Sequence, residues 1–216
     1  MIKVHHLNNS RALRILWLLE EIGAPYEIVK YQRGSPMPLA PPELKAVHPL
    51  GKSPVIEDNG MTIAESAAIV EYLIDTYGQG RFRPKPGTSD YWEYLQWMHF
   101  AEGSAMLPVL LALYVGRLGE AGAPLFPRIT GELANHLGYM DAALAGKDYL
   151  LGSDFSAADI QLAFVIEAAE ARGYLRDYPN LLAYQARYRA RPAWSRAVEK
   201  GGPFALPRQA PLGSHA

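Results

Sequence analysis

An α/β domain followed by an all-helical one is the fold class this sequence predicts, and three observations predict it. Over the first eighty residues the hydrophobic period switches between two and 3.6 in the order βαβ, loop, ββα. From Gly80 to Thr88 the chain reads Gly-Arg-Phe-Arg-Pro-Lys-Pro-Gly-Thr, with the proline and glycine content and missing period of an interdomain linker. Beyond Ser89 every strong signal is helical. The expected division is a first domain over 1–80, a linker over 81–88 and a helical domain over 89–216.

Taken in order, Ile2 to His6 alternates as a short strand. Ser10, a good N-cap, opens a helix marked turn by turn by Leu13, Leu16 or Trp17, and Glu20. Ala12, Ile15, Leu16, Leu19 and Ile22 share one side of it, and Gly23 followed by Pro25 stops it. Tyr26 to Val29 reads as a second strand, parallel to the first because a helix joins them. Five prolines between Arg33 and Pro49 (Pro36, Pro38, Pro41, Pro42 and Pro49) exclude a long regular element and predict a loop with a short helix near Glu43 to Val47. Asp58-Asn59-Gly60 between Pro54–Glu57 and Met61–Ile63 is a hairpin signal. A helix then starts near Glu65, with Ala68, Ile69, Tyr72, Leu73 and Tyr77 on its apolar stripe and Gly78 at its end.

In the second half, Ser89 to about Leu118 predicts a long apolar-aromatic helix kinked by Pro108. Pro127–Leu144, Ser156–Arg172, Pro179–Ala190 and Pro192–Lys200 complete a helical bundle. The helix from Ser156 has almost no polar face and is expected to be the buried core helix. Its start, Ser156-Ala157-Ala158-Asp159, is a capping-box pattern, whose loss costs about 0.5–2 kcal/mol.

Composition narrows the function classes. With 49% hydrophobic and 20% charged residues the chain is an ordinary globular protein rather than a disordered one. Lys+Arg 21 against Asp+Glu 22 leaves a net charge of −1, so no global field draws it to nucleic acid or anionic lipid. It has no cysteine, which excludes disulfides, thiolate metal sites and a sulfur nucleophile of its own. The N-terminus lacks the apolar stretch of a signal peptide, and no run approaches the ~18 apolar residues of a membrane span; the expected location is cytoplasmic, with no membrane partner. Pro211 to Ala216 forms no pattern.

Three constellations carry candidate chemistry, each with a plain structural alternative. Leu7-Asn8-Asn9-Ser10-Arg11 ends a strand and opens a helix, where backbone N–H groups and the helix dipole favour an anion; Asn and Ser are equally good caps there. Pro54, at a strand start after Ser53, suits a cis peptide that turns the backbone of Ser53 toward a peptide ligand, or an ordinary trans proline at a strand end. Glu65-Ser66 at a helix start is able to hold an ammonium and a carboxylate, the two ends of an amino-acid zwitterion, or to serve as a first-turn acid and a cap. His5 and His6 point to opposite faces of their strand with no acid at ligand spacing, so no metal site is expected. Tyr91, His99, Met106 and Tyr114 either line a cleft or fill a core. No phosphate loop and no Gly-x-Ser-x-Gly elbow is present.

The order of these features, with Leu-Leu-Glu-Glu-Ile-Gly (18–23), His-Pro-Leu-Gly-Lys-Ser-Pro-Val-Ile (48–56), Ala-Glu-Ser (64–66) and Phe-Ser-Ala-Ala-Asp-Ile (155–160), resembles the cytosolic glutathione transferases, in a bacterial and fungal branch of serine or asparagine type. The resemblance spans Met1 to about Pro203. It implies a thioredoxin-like N-terminal domain that binds glutathione as co-substrate, without metal, and an all-helical domain that contributes the hydrophobic substrate pocket. It further implies a homodimer with a role in detoxification, acting on a small hydrophobic electrophile or a peroxide. By position, Glu65 and Ser66 match the pair that binds the γ-glutamyl group, Ser53 the residue whose backbone pairs with the cysteinyl unit, Pro54 the cis-proline, and Lys52 a side chain that reaches the glycyl carboxylate. Asp159 matches the buried capping acid. Asn9 falls where many members keep a serine hydroxyl, with Ser10 beside it, so these two are the candidate donors to the thiolate. Lacking the N-terminal tyrosine and the cysteine of other classes, the chain is cut off from mixed-disulfide chemistry on its own sulfur. Two alternatives stand beside a transferase: a glutathione-dependent disulfide reductase, and a glutathione-fold module that binds without turnover.

Overall fold

The computed structural model describes residues 1–34, 39–203 and Leu212. Pro36 and Pro38 of the proline-rich loop, and the closing tail apart from Leu212, lie outside the described residues. Two compact units are present, one bounded by Met1–Lys85 and Arg189–Ala205, the other by Pro86–Tyr188 and Leu206–Ala216.

The first unit is built on β1 (Ile2–Leu7), α1 (Ala12–Ile22), β2 (Tyr26–Tyr31), α2 (Leu44–Val47), β3 (Val55–Asp58), β4 (Met61–Ala64) and α3 (Ser66–Thr76). The sheet order is β2-β1-β3-β4, with β1 parallel to β2 and antiparallel to β3, and β3 antiparallel to β4. Asn59 and Gly60 both take positive φ, 48° and 76°, the geometry that lets a two-residue turn follow the strand twist. Gly23, at φ 81°, ends α1 by returning its N–H to the Leu19 carbonyl at 2.9 Å.

All eight residues from Ala12 to Leu19 are buried, more than the one-sided stripe of an amphipathic helix requires. The reason is the last helix, α9 (Pro192–Gly201), which follows the bundle helices in sequence and packs on α1 in the first unit. Trp17 and Trp194 meet edge to face at 4.9 Å. Arg191 donates to Glu21 at 2.6 and 3.0 Å, and Arg196 to Glu20 at 2.8 Å. The linear division at residue 88 differs from the compact units in this one element.

His6 is buried between these layers, its Nε2 donating to the Gly201 carbonyl at 2.9 Å while Nδ1 has no partner. Burial pushes its pKa below the ordinary 6.5. The unfolded chain then takes up this proton at a pH where the folded one does not, so stability is lost as pH falls below about 6.5, by up to ~1.4 kcal/mol per pH unit. Urea unfolding on either side of that pH should show this slope, and His6→Gln should flatten it.

The second unit holds α4 (Ser89–Phe100), a π-helical turn (Ala101–Ala105), α5 (Met106–Gly116), a 3₁₀ segment (Gly119–Leu125), α6 (Phe126–Ala143), α7 (Ala157–Glu170) and α8 (Pro179–Arg189). The distortion expected at Pro108 is the π turn just before it, which contains Ser104, the residue whose carbonyl a proline at 108 has no N–H to reach. The continuous run Ser89–Gly116, 28 residues, is long and apolar enough to cross a membrane, which the sequence reading did not expect of any segment. Its Tyr94, Trp97, Met98, Ala105, Met106 and Val109 side chains are buried within the unit, as in a bundle helix.

The helix expected at the core is α7, where twelve side chains from Ala157 to Ala169 are buried. Asp159, fully buried, accepts from Ser156 N–H at 2.8 Å, Ser156 Oγ at 3.0 Å, Leu150 N–H at 3.0 Å and Tyr184 Oη at 2.9 Å.

Candidate functional site

β1 ends at Leu7, and the Asn8 N–H still pairs with the Tyr31 carbonyl at 3.2 Å. Asn9 then turns into the left-handed region at φ 51°, a conformation that asparagine tolerates better than most side chains. Arg33, after β2, holds this turn in place. Its backbone N–H donates to Asn8 Oδ1 at 2.9 Å, its Nε to the Asn8 carbonyl at 3.1 Å and its Nη2 to the Asn9 carbonyl at 3.2 Å.

Ser10 is buried, and its hydroxyl donates to the Leu7 carbonyl at 2.6 Å while accepting from the Ala12 N–H at 3.2 Å. Its proton is engaged by the backbone. Ser53 does comparable work from the other side, donating from Oγ to the His5 carbonyl at 2.8 Å and accepting from the Leu7 N–H at 3.1 Å. The Ser53 side chain extends the β1–β3 pairing past Val55, where Pro54 has no N–H to offer. The Ser10 and Ser53 hydroxyls lie 3.5 Å apart, so two segments 43 residues apart in sequence meet at the end of β1. The Ser53–Pro54 peptide is cis, Pro54 is buried and Lys52 is exposed.

Glu65 stands before α3 at φ 68°, ψ 114°, unusual for any residue but glycine, with its side chain exposed. Its side chain makes no cap to the first turn of α3. Ser66 is buried, and its Oγ accepts from Arg14 Nη1 at 3.2 Å. Arg14, only 2% exposed, brings a guanidinium from α1 beneath the start of α3.

Sequence reasoning missed Arg14 and Arg33. Arg14 had a signal, as the one charge in the otherwise apolar run Ala12 to Leu19; Arg33 had none, since its partners lie 24 and 25 residues earlier. The two histidines part as the strand period requires. His5 Nε2 meets Glu57 Oε1 at 2.9 Å and its Nδ1 the Tyr31 hydroxyl at 2.9 Å. Lys3 and then His5 hold the Glu57 carboxylate below the usual range. Of the residues left between cleft and core, Met106 is core and Tyr114 is exposed.

Family models for the glutathione S-transferase N-terminal and C-terminal domains match residues 1–75 and 123–187. Glutathione S-transferase 3 of Schizosaccharomyces pombe is 40% identical over 93% of this chain and 88% of its own length. Glutathione S-transferase 1 of Saccharomyces cerevisiae is 28% identical over 93% and 95%. A glutathione S-transferase structure from Actinobacillus pleuropneumoniae superposes with a TM-score of 0.85 at 34% identity, covering 93% of each chain. A glutathione transferase family member from Pseudomonas fluorescens, solved with two glutathione bound, superposes at 0.76 with 28% identity, covering 92% of each. With both domain models on one chain and that identity to a full-length relative, the chain belongs to the glutathione S-transferase family.

Proposed function

We propose that this protein binds glutathione on its first domain, stabilises the thiolate at Asn9 and transfers it to a small hydrophobic electrophile. The observation that carries the reading is the start of α3: an exposed Glu65 at φ 68°, just before the helix N-terminus, with its side chain not turned back to cap the helix. A carboxylate for an ammonium and a helix N-terminus for a carboxylate suit the γ-glutamyl zwitterion, with the Arg14 cation behind Ser66 adding to the positive end. Ser53 then pairs through its backbone with the cysteinyl unit, and Lys52 reaches the glycyl carboxylate. In the transfer, the sulfur lone pair forms the new S–C bond, the leaving group departs with its electron pair, and the thiol proton goes to solvent. We further propose that the protein acts as a cytoplasmic homodimer in detoxification, with peroxides as a second class of acceptor.

Calorimetric titration with reduced glutathione, then addition of 1-chloro-2,4-dinitrobenzene, tests this. Binding with turnover is the expected outcome, and no binding would remove the roles of Lys52, Ser53, Glu65 and Ser66. Glu65→Gln should weaken binding at least about tenfold, the scale of one charge-assisted hydrogen bond. Disulfide reduction using two glutathione molecules is the second reading, favoured by the Pseudomonas fluorescens relative with two bound. Faster turnover of hydroxyethyl disulfide than of the arene would select it, and binding without any turnover would select a non-enzymatic module.

A further inference from the structure

Arg14 lies in the first turn of α1 and is 2% exposed, in a run from Ala12 to Leu19 that is otherwise apolar. Its Nη1 donates at 3.2 Å to the buried Ser66 Oγ, so one bond between side chains 52 residues apart joins the start of α1 to the start of α3. Both starts are held by their own backbone as well. The Ala12 N–H donates to Ser10 Oγ at 3.2 Å and the Arg14 N–H to the Arg11 carbonyl at 3.1 Å, while the Ile69 N–H closes the first turn of α3 on the Glu65 carbonyl at 2.9 Å. These are the two helix starts to which the proposed function assigns the thiolate and the γ-glutamyl group.

A guanidinium has five N–H donors and no acceptor, whereas a hydroxyl has one proton and two lone pairs. In the bond from Arg14, Ser66 Oγ is therefore the acceptor, and its proton is excluded from the side that faces α1. A guanidinium also keeps its charge at every working pH, so this direction is fixed, and a hydroxyl that accepts from a cation is polarised into a stronger donor. A carboxylate only accepts, and it gains most from donors of this kind. On the reading that glutathione binds here, we propose that Arg14 is a positioning residue for the γ-glutamyl group: by donating to Ser66 Oγ it commits the Ser66 proton to the α-carboxylate of the ligand, and so makes the site select ligands that carry that carboxylate. Arg14 itself is buried and acts through Ser66.

The test titrates reduced glutathione and, separately, 4-aminobutanoyl-cysteinylglycine, which lacks only the α-carboxylate, into the full chain and its Arg14→Gln and Arg14→Lys variants, with urea unfolding to confirm that each folds. The unaltered chain is expected to prefer glutathione by about tenfold or more, the scale of a charge-assisted hydrogen bond. Glutamine offers an acceptor as well as a donor and no charge, so Arg14→Gln should weaken glutathione about tenfold and leave the analogue within about twofold, erasing the preference. In turnover with the arene, the same variant should raise the glutathione KM about tenfold at a kcat within about twofold. Lysine is again a cation that only donates, so Arg14→Lys should keep the preference, and it decides the matter if Arg14→Gln does not fold. Equal weakening of both ligands by Arg14→Gln would mean a merely structural role and overturn the proposal, as would an unchanged preference in Arg14→Gln, a preference lost in a folded Arg14→Lys, or none in the unaltered chain. Failure of the unaltered chain to bind glutathione at all would instead remove the glutathione reading, and this role with it.

Discussion

Asn9→Ala is expected to lower kcat/KM for conjugation by about 100-fold, while Ser10→Ala lowers it less and costs stability instead. A free thiol with a pKa near 8.5 is only a few per cent ionised at neutral pH, and lowering that value by ~2 units requires about 2.7 kcal/mol of preference for the thiolate. One preorganised donor supplies an effect of that size, and removal of such a donor costs about 10²–10³ in rate. Ser10 spends its proton on the Leu7 carbonyl, whereas Asn9 is held at φ 51° by Arg33 on the flanking carbonyls. Titrating the thiolate absorbance of bound glutathione should show its pKa moving back toward about 8.5 in Asn9→Ala and staying low in Ser10→Ala. A tenfold loss in neither variant would remove the thiolate site from this turn.

Asp159→Ala should destabilise the protein by about 4 kcal/mol, a large share of the ~5–15 kcal/mol available to most folded proteins. Four donors converge on this carboxylate in a fully buried place: two backbone N–H groups, the Ser156 hydroxyl and the Tyr184 hydroxyl. Burial pushes the pKa of Asp159 up, while each of the four donors favours its charged form. Burial, and then Asp159, push the Tyr184 hydroxyl well above its usual range, so it remains a donor. The substitution strands all four, and each buried unsatisfied group costs about 1–3 kcal/mol. Ser156→Ala leaves both N–H groups served and should cost only about 0.5–2 kcal/mol. Denaturant unfolding of the two variants gives both numbers, and near-equal values would show that Asp159 is no more than a cap.

Much of this was legible in the chain itself. Asn59-Gly60 specified its hairpin because both residues accept positive φ, and Gly23 specified the end of α1 for the same reason. Ser156 and Asp159 marked a buried helix start because orphan N–H groups without water need a local acceptor. The ordered motifs at residues 18–23, 48–56, 64–66 and 155–160 were enough to indicate the glutathione S-transferase family and its thioredoxin-like and helical domains. These are short-range constraints, settled within a few residues of backbone.

What only the tertiary structure decided depends on partners far apart in sequence. Ser10 and Asn9 were equal candidates along the chain; the bond from Ser10 to the Leu7 carbonyl and that from Arg33 to the Asn9 carbonyl leave no periodic trace. Ser66 read as a candidate ligand for a carboxylate or as a cap, and Arg14, 52 residues away, placed a buried cation behind it. The last helix read as part of the bundle, yet Arg191, Arg196 and Trp194 pack it on α1 across 170 residues or more. Local sequence determines which backbone turns are allowed, because that choice is a matter of sterics and nearby hydrogen bonds. Which side chain is left to act on a ligand depends on whose donors and acceptors are consumed by distant ones, and only the packed chain determines that.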